Sequence, residues 1–185
     1  MIGTDREVRH YIYLTTDSRQ VYAIYMAEID MLMKALDDAH WEFSLVFEGL
    51  SDDDLWRRAH PKLLSVGELA GHVAYWEAQG ITLEDSPDLI QSPLVDKRFD
   101  YYTNEVERPV VLDLGVEAVA AELKRVHGLV KAKIIATDPK LSDPVPGRPS
   151  FTWVQHLQYQ AFHAAYHTDQ AYSVRHILGH TTTDN

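Results

Sequence analysis

Four stretches of this chain carry apolar residues at helical spacing, and almost nothing in it alternates as a strand would; that constrains the fold more than any other feature. From Asp17 and Ser18, which read as N-caps, apolar residues recur at Val21, Ile24 or Tyr25, Ile29, Leu32, Leu36, Ala39, Phe43, Val46 or Phe47, and Leu50, a first long helix over about 18–50. A second, over about 65–84, opens on Ser65 with Glu68 three residues later, a capping-box pattern, and its inner stripe reads Leu69, His72, Val73, Trp76, Gly80, Leu83. The third, 116–137, turns Val119, Leu123, Val126, Val130 and Ile134 inward and Lys124, Arg125, Lys131 and Lys133 mainly outward. The fourth, about 150–178, has Ser150 as its expected N-cap. A chain of 185 residues with four such helices reads as all-α, a four-helix bundle in one domain over residues 1–185.

The connections are uneven. Ser51-Asp-Asp-Asp54 should start a short helical turn that His60-Pro61 stops, and Pro144, Pro146, Gly147 and Pro149 make a stiff loop before the last helix. Residues 84–115 carry Pro87, Pro93 and Pro109, no sustained helical period, and a strand-like run at Val110-Val-Leu112. A link that long lets the second and third helices run parallel instead of forming a hairpin. Its Phe99, Tyr101 and Tyr102 suit a lid or an interface arm.

Composition narrows the chemistry. Cysteine is absent, which excludes disulfides, thiolate ligands and a cysteine nucleophile and accords with a cytoplasmic setting. A formal net charge of −11 with scattered Lys and Arg argues against nucleic acid. Asp5, Arg6, Glu7 and Arg9 interrupt the N-terminal region where a signal peptide would be apolar, and no stretch is long enough for a membrane span.

The last helix carries most of the rest. On an α-helix, His156, His163, His167 and Gln170 share one stripe, and two imidazoles one turn apart can hold one divalent ion. The third ligand comes from His72, set in the otherwise apolar stripe of the second helix. Three imidazoles leave a coordination position open, as catalytic sites do, and water held there becomes acidic enough to act as a nucleophile. Gln170 can hydrogen-bond a ligand imidazole or the water on the ion. His156 reads as polar surface, with a place on the pocket rim or as a fourth ligand as alternatives; His127 reads as core or surface, and Trp76 as core.

The chain resembles the DinB-like (DinB/YfiT) bundle proteins. The resemblance lies in Gly49-Leu-Ser-Asp-Asp-Asp-Leu-Trp56, in Ser65-Val-Gly-Glu-Leu-Ala-Gly-His72-Val-Ala-Tyr-Trp-Glu77, and in His163-Ala-Ala-Tyr-His167-Thr-Asp-Gln170 running on to Ile177-Leu-Gly179. It covers about residues 20 to 180, in the same order and with the long second crossover. It implies an up-down-down-up bundle, often a homodimer, with a divalent metal, zinc or nickel, on His72, His163 and His167. It also implies either a thiol S-transferase using a low-molecular-weight thiol such as bacillithiol or mycothiol, an isomerase dependent on such a thiol, or a hydrolase.

Other residues set the alternatives. Ala164 stands where a zincin H-E-x-x-H helix has its general base, so a peptidase of that type is not expected. Glu68 and Asp169 remain as carboxylates that could serve, Glu68 equally as a capping partner and Asp169 as a solvated helix residue. Arg57, Arg58, Lys62 and Arg148 could form a basic mouth for an anionic thiol. The expected role is a metal-dependent enzyme on a small molecule; the alternative is a non-catalytic metal- or ligand-binding stress-response bundle.

Overall fold

The structure, a computed structural model, describes residues 16–82, 89–101 and 108–182, with side chains from Glu28 onward. The expectations for Val21, Ile24, Tyr25, Leu83, Pro87 and Tyr102 fall outside those residues or their side chains.

Five α-helices are present among the described residues: α1 (Thr16–Leu45), α2 (Asp52–Leu55), α3 (Val66–Ile81), α4 (Val116–Thr137) and α5 (Trp153–Ile177). The fold is mostly helical but not purely so. A short antiparallel pair, β1 (Pro144–Val145) and β2 (Arg148–Thr152), occupies part of the region expected to be a stiff loop. Pro146 and Gly147 form its tip, and Gly147 lies so close to the end of α3 that an added Cβ would sit 2.9 Å from the Thr82 amide nitrogen. Because β2 takes up Ser150, the cap of α5 moves to Thr152, whose hydroxyl accepts from the Gln155 amide in a full capping box. Val110 to Leu112 form no strand; Val110 instead donates its N–H to a side chain, described below.

Capping residues set the boundaries elsewhere too. Ser51 caps α2, and the Ser65 and Glu68 pair caps α3 reciprocally. The first helix ends at Leu45, not near 50, and Gly49 adopts φ +69 in the turn that follows. The apolar spacing runs on past the helix because Val46, Phe47 and Leu50 pack into the core from that turn.

Each long helix packs against two others: α5 against α1 and α3, and α4 against α3 and α1. The core carries Leu36 and Phe43 from α1, Leu69 and Val73 from α3, the full predicted stripe of α4, and Leu157, Ala164 and Ala171 from α5. Helix α3 is buried almost all round, and small residues let its neighbours close on it. Gly71 is the tightest example that matters for function: a Cβ there would stand 2.6 Å from the ring of Phe99. Gly71→Ala should therefore displace Phe99 and cost about 1–3 kcal/mol, read as a lowered Tm.

Candidate metal centre

Three histidines meet in the middle of the bundle. His72 comes from α3 and His163 and His167 from α5, all three buried, with one nitrogen of each within 4.8 Å of the others. The Nε2 of His163 lies 3.3 Å from the Nε2 of His72 and 3.1 Å from that of His167. The rings meet edge to face or tilted instead of stacking, as groups aimed at one point do.

The outer nitrogens fix the tautomers. His72 Nδ1 is 2.7 Å from the carbonyl oxygen of Phe99, which only accepts, so Nδ1 carries the proton. His167 Nδ1 is likewise 2.7 Å from Oε1 of Gln170 and donates to it. Both Nε2 atoms then present lone pairs to the same space. His163 Nδ1 is buried without a hydrogen bond. Burial pushes all three imidazoles toward the neutral form: His72 is lowered, His167 is lowered to about 4, and His163 to about 2, where its neighbours His167 and His72 add to the effect. Neutral, lone-pair-bearing nitrogens are the form a divalent transition ion binds. Nitrogens around a tetrahedral zinc are about 3.4 Å apart for Zn–N bonds of about 2.0–2.1 Å. The donor set therefore fits such an ion.

Two of the residues around the trio come from the crossover. Phe99, fully buried, supplies the carbonyl that orients His72, and Trp76 Nε1 donates to the Asp100 carbonyl beside it. Tyr101 then turns into the left-handed region at φ +52, a strained conformation for a bulky residue, and its ring lies 5.8 Å from that of His72. Its hydroxyl donates to Oε1 of Glu68 at 3.0 Å. Glu68 is completely buried. It also takes the Ser65 and Val110 amides and both a 2.6 and a 2.7 Å bond from Arg58. Burial would raise this carboxyl, but the Arg58 guanidinium and the two amides outweigh it and hold it low. Burial next to that anion in turn pushes the Tyr101 phenol up.

A cavity of about 690 Å³ opens over the histidines, with Tyr101, Tyr159, Phe162, Tyr166, Gln170 and Lys62 among its walls. Among the described residues no carboxylate lines it. Glu68 is committed to its cap and its ion pair, and Asp169 faces solvent on another side of α5. Of the cations expected at a basic mouth, Arg57 pairs with Asp54, Arg58 is consumed by Glu68, and Arg148 lies over the faces of Trp76 and Tyr159. Lys62 alone of the four lines the cavity.

His156 corrects the surface reading. It is 1% exposed, packed against Gly80 and Trp153, and lowered to about 4 by burial, with Arg148 adding to it. Its position two turns before His163 faces the bundle interior below the trio, because α5 is enclosed there by the end of α3. His127 is buried as well and contacts Glu77 and Asp37, together with His40; of these, the sequence signalled only His127, and only as core or surface.

A family model described as the DinB superfamily matches residues 27–171. No curated protein and no solved structure matches the chain.

Proposed function

From the premise that the chain belongs to the DinB superfamily, we propose that His72, His163 and His167 hold one divalent ion, zinc or nickel, in a metal-dependent enzyme that transfers a small thiol to an electrophilic small molecule. One observation carries the reading: three neutral imidazoles open onto a cavity instead of being closed over by a fourth side chain. Bound there, the ion would supply a Lewis acid that lowers the pKa of a thiol or a water in its open position. Phe99 and Gln170 hold His72 and His167 in the tautomers such an ion needs, and the aromatic walls exclude water from an apolar substrate. Lys62 is placed to meet one anionic group of thiol or substrate.

The thiol reading is favoured over the hydrolytic one by the walls. Cleaving an amide or ester through water draws on a side chain that takes or returns protons, and no carboxylate lines the cavity among the described residues, while Tyr101 is held protonated. A thiol starts near pKa 8.5 and needs little help. The up-down-down-up helix order, one domain over 1–185 and a homodimer belong to the same reading. The long link from 82 to 115 supports parallel α3 and α4, and exposed Met31 and Trp41 on α1 offer apolar surface for a second subunit.

The test is metal analysis of protein purified without an affinity tag, followed by turnover with a panel of low-molecular-weight thiols and electrophiles against His72→Ala. Thiol consumption that disappears with the metal and with His72 supports the enzyme; metal without turnover returns the protein to a binding role. Gln170→Ala is expected to lower metal affinity about 10–100-fold, measured by competition with a chromophoric chelator.

A further inference from the structure

The aromatic residues around the cavity are not scattered over its walls. Tyr159, Phe162 and Tyr166 follow one another on α5 at spacings of three and four, so they form a row along the helix beside the row of His163 and His167. One end of the row is anchored. Tyr159 is half-buried, its ring stacks on that of His163 at 5.8 Å and 26°, and the Arg148 guanidinium lies 5.7 Å from its centroid. The other end is bare. Phe162 is 64% and Tyr166 50% exposed, yet their rings stand 6.0 Å apart and within 22° of parallel. Large exposed rings contiguous with a cavity mark a surface for binding.

The polar groups of the cavity agree on the sign of what they meet. Lys62 lines it from the loop before α3, exposed and in no ion pair among the described residues. Gln170 spends its carbonyl oxygen on His167, which leaves an amide NH2 group that only donates. Ser173 adds a hydroxyl. A chain of net charge −11 thus keeps its acidic side chains away from this cavity and presents one ammonium to it.

We propose that the cavity binds a planar aromatic molecule carrying one carboxylate, the ring lying against Phe162 and Tyr166 and the carboxylate meeting Lys62. This names the class of the electrophile in the reaction proposed above and rests on that reading for its catalytic meaning; the binding itself depends on Phe162, Tyr166 and Lys62. A saturated molecule would gain burial on the same wall without the stacked or edge-to-face contacts that two fixed rings reward. A neutral ring would leave the ammonium without a counter-charge. The volume of about 690 Å³ is that of a pocket for a drug-sized ligand, so a small aromatic acid leaves space above the histidines for the thiol.

The test is calorimetric titration of metal-stripped and zinc-loaded protein with naphthoate, its saturated counterpart decahydronaphthoate and neutral naphthamide. Naphthoate should bind one site on both forms, about tenfold more tightly than either control. Phe162→Leu, which keeps apolar bulk at an exposed position and removes the ring, should weaken naphthoate and leave decahydronaphthoate unchanged. Lys62→Gln should weaken naphthoate and leave naphthamide unchanged. Equal affinity for naphthoate and its saturated counterpart overturns the proposal. So does loss of naphthoate binding on stripping, which would put the carboxylate on the ion instead of on Lys62. A naphthoate affinity unmoved by Phe162→Leu, with a dimer lost in sedimentation, gives the exposed rings to a second copy of the chain and overturns it as well. Because binding is read on stripped protein, failure to find metal or thiol turnover removes the reaction proposed above without altering this result.

Discussion

His163→Ala should lose one metal equivalent relative to the parent protein, together with any thiol-transfer activity, as read by elemental analysis and turnover on the same preparation. His163 is the middle member of the trio, its Nε2 lying 3.3 and 3.1 Å from those of the other two, so removing it leaves His72 and His167 without the nitrogen that links them. Acid should mimic the substitution. The folded-state pKa values of these imidazoles lie below the ordinary 6.5, with His167 at about 4. Below 6.5 the unfolded chain takes up protons that the folded site refuses, so the stability of metal-free protein falls with pH between about 6.5 and 4. Metal retention should fall over the same range, because protons compete for the same lone pairs. Metal content that survives His163→Ala unchanged would exclude the three-histidine centre.

Glu68→Ala should be the most damaging single exchange for folding, costing about 3–5 kcal/mol and visible as a large fall in Tm. It takes the carboxylate away from the Arg58 guanidinium, whose side chain is 8% accessible, and from two backbone amides and the Tyr101 hydroxyl. Glu68→Gln keeps the shape and should cost less. The carboxyl is held below its ordinary 4.5, so its contribution is present above that pH and is lost as pH falls through the lower folded value. Equal Tm values for Glu68→Ala and the parent would show that the buried node contributes nothing.

Much of this was readable from local spacing. The α4 boundaries, the Ser51 and Ser65 caps, the stripe of α1 from Ile29 onward and that of α4 depend on neighbours within four residues, and the structure reproduces them. The convergence of His72 with His163 and His167 was readable too, through the family pattern and the position of His72 in an apolar stripe. What failed depended on distant contacts. Ser150 is a good cap by composition, but the Pro146 and Gly147 turn, whose glycine lies against the end of α3, folds it into a strand paired with β1. His156 looked like surface because α5 carries polar residues on every side; only the closeness of Gly80 shows how deeply that face is covered. Glu77 lies on α3 and His40 and Asp37 on α1, 50 to 90 positions from His127 on α4, so no spacing rule brings them to it. One signal was available: a carboxylate among Ala74, Ala78 and Gly80 in a helix apolar all round must be buried, and a buried carboxylate requires partners.

The two chain segments gathered by Glu68 have a consequence for how such a protein can diversify. Tyr101 and Val110 bond to the same carboxylate oxygen, so the chain between them leaves and returns at one anchored point beside the cavity. A loop closed in this way can change length at little cost, about 0.6 kcal/mol per doubling, while the Phe99 carbonyl that orients His72 stays outside it. The two ends of the chain between positions 101 and 110 are thus tied at one fixed clasp, apart from the contact that orients His72.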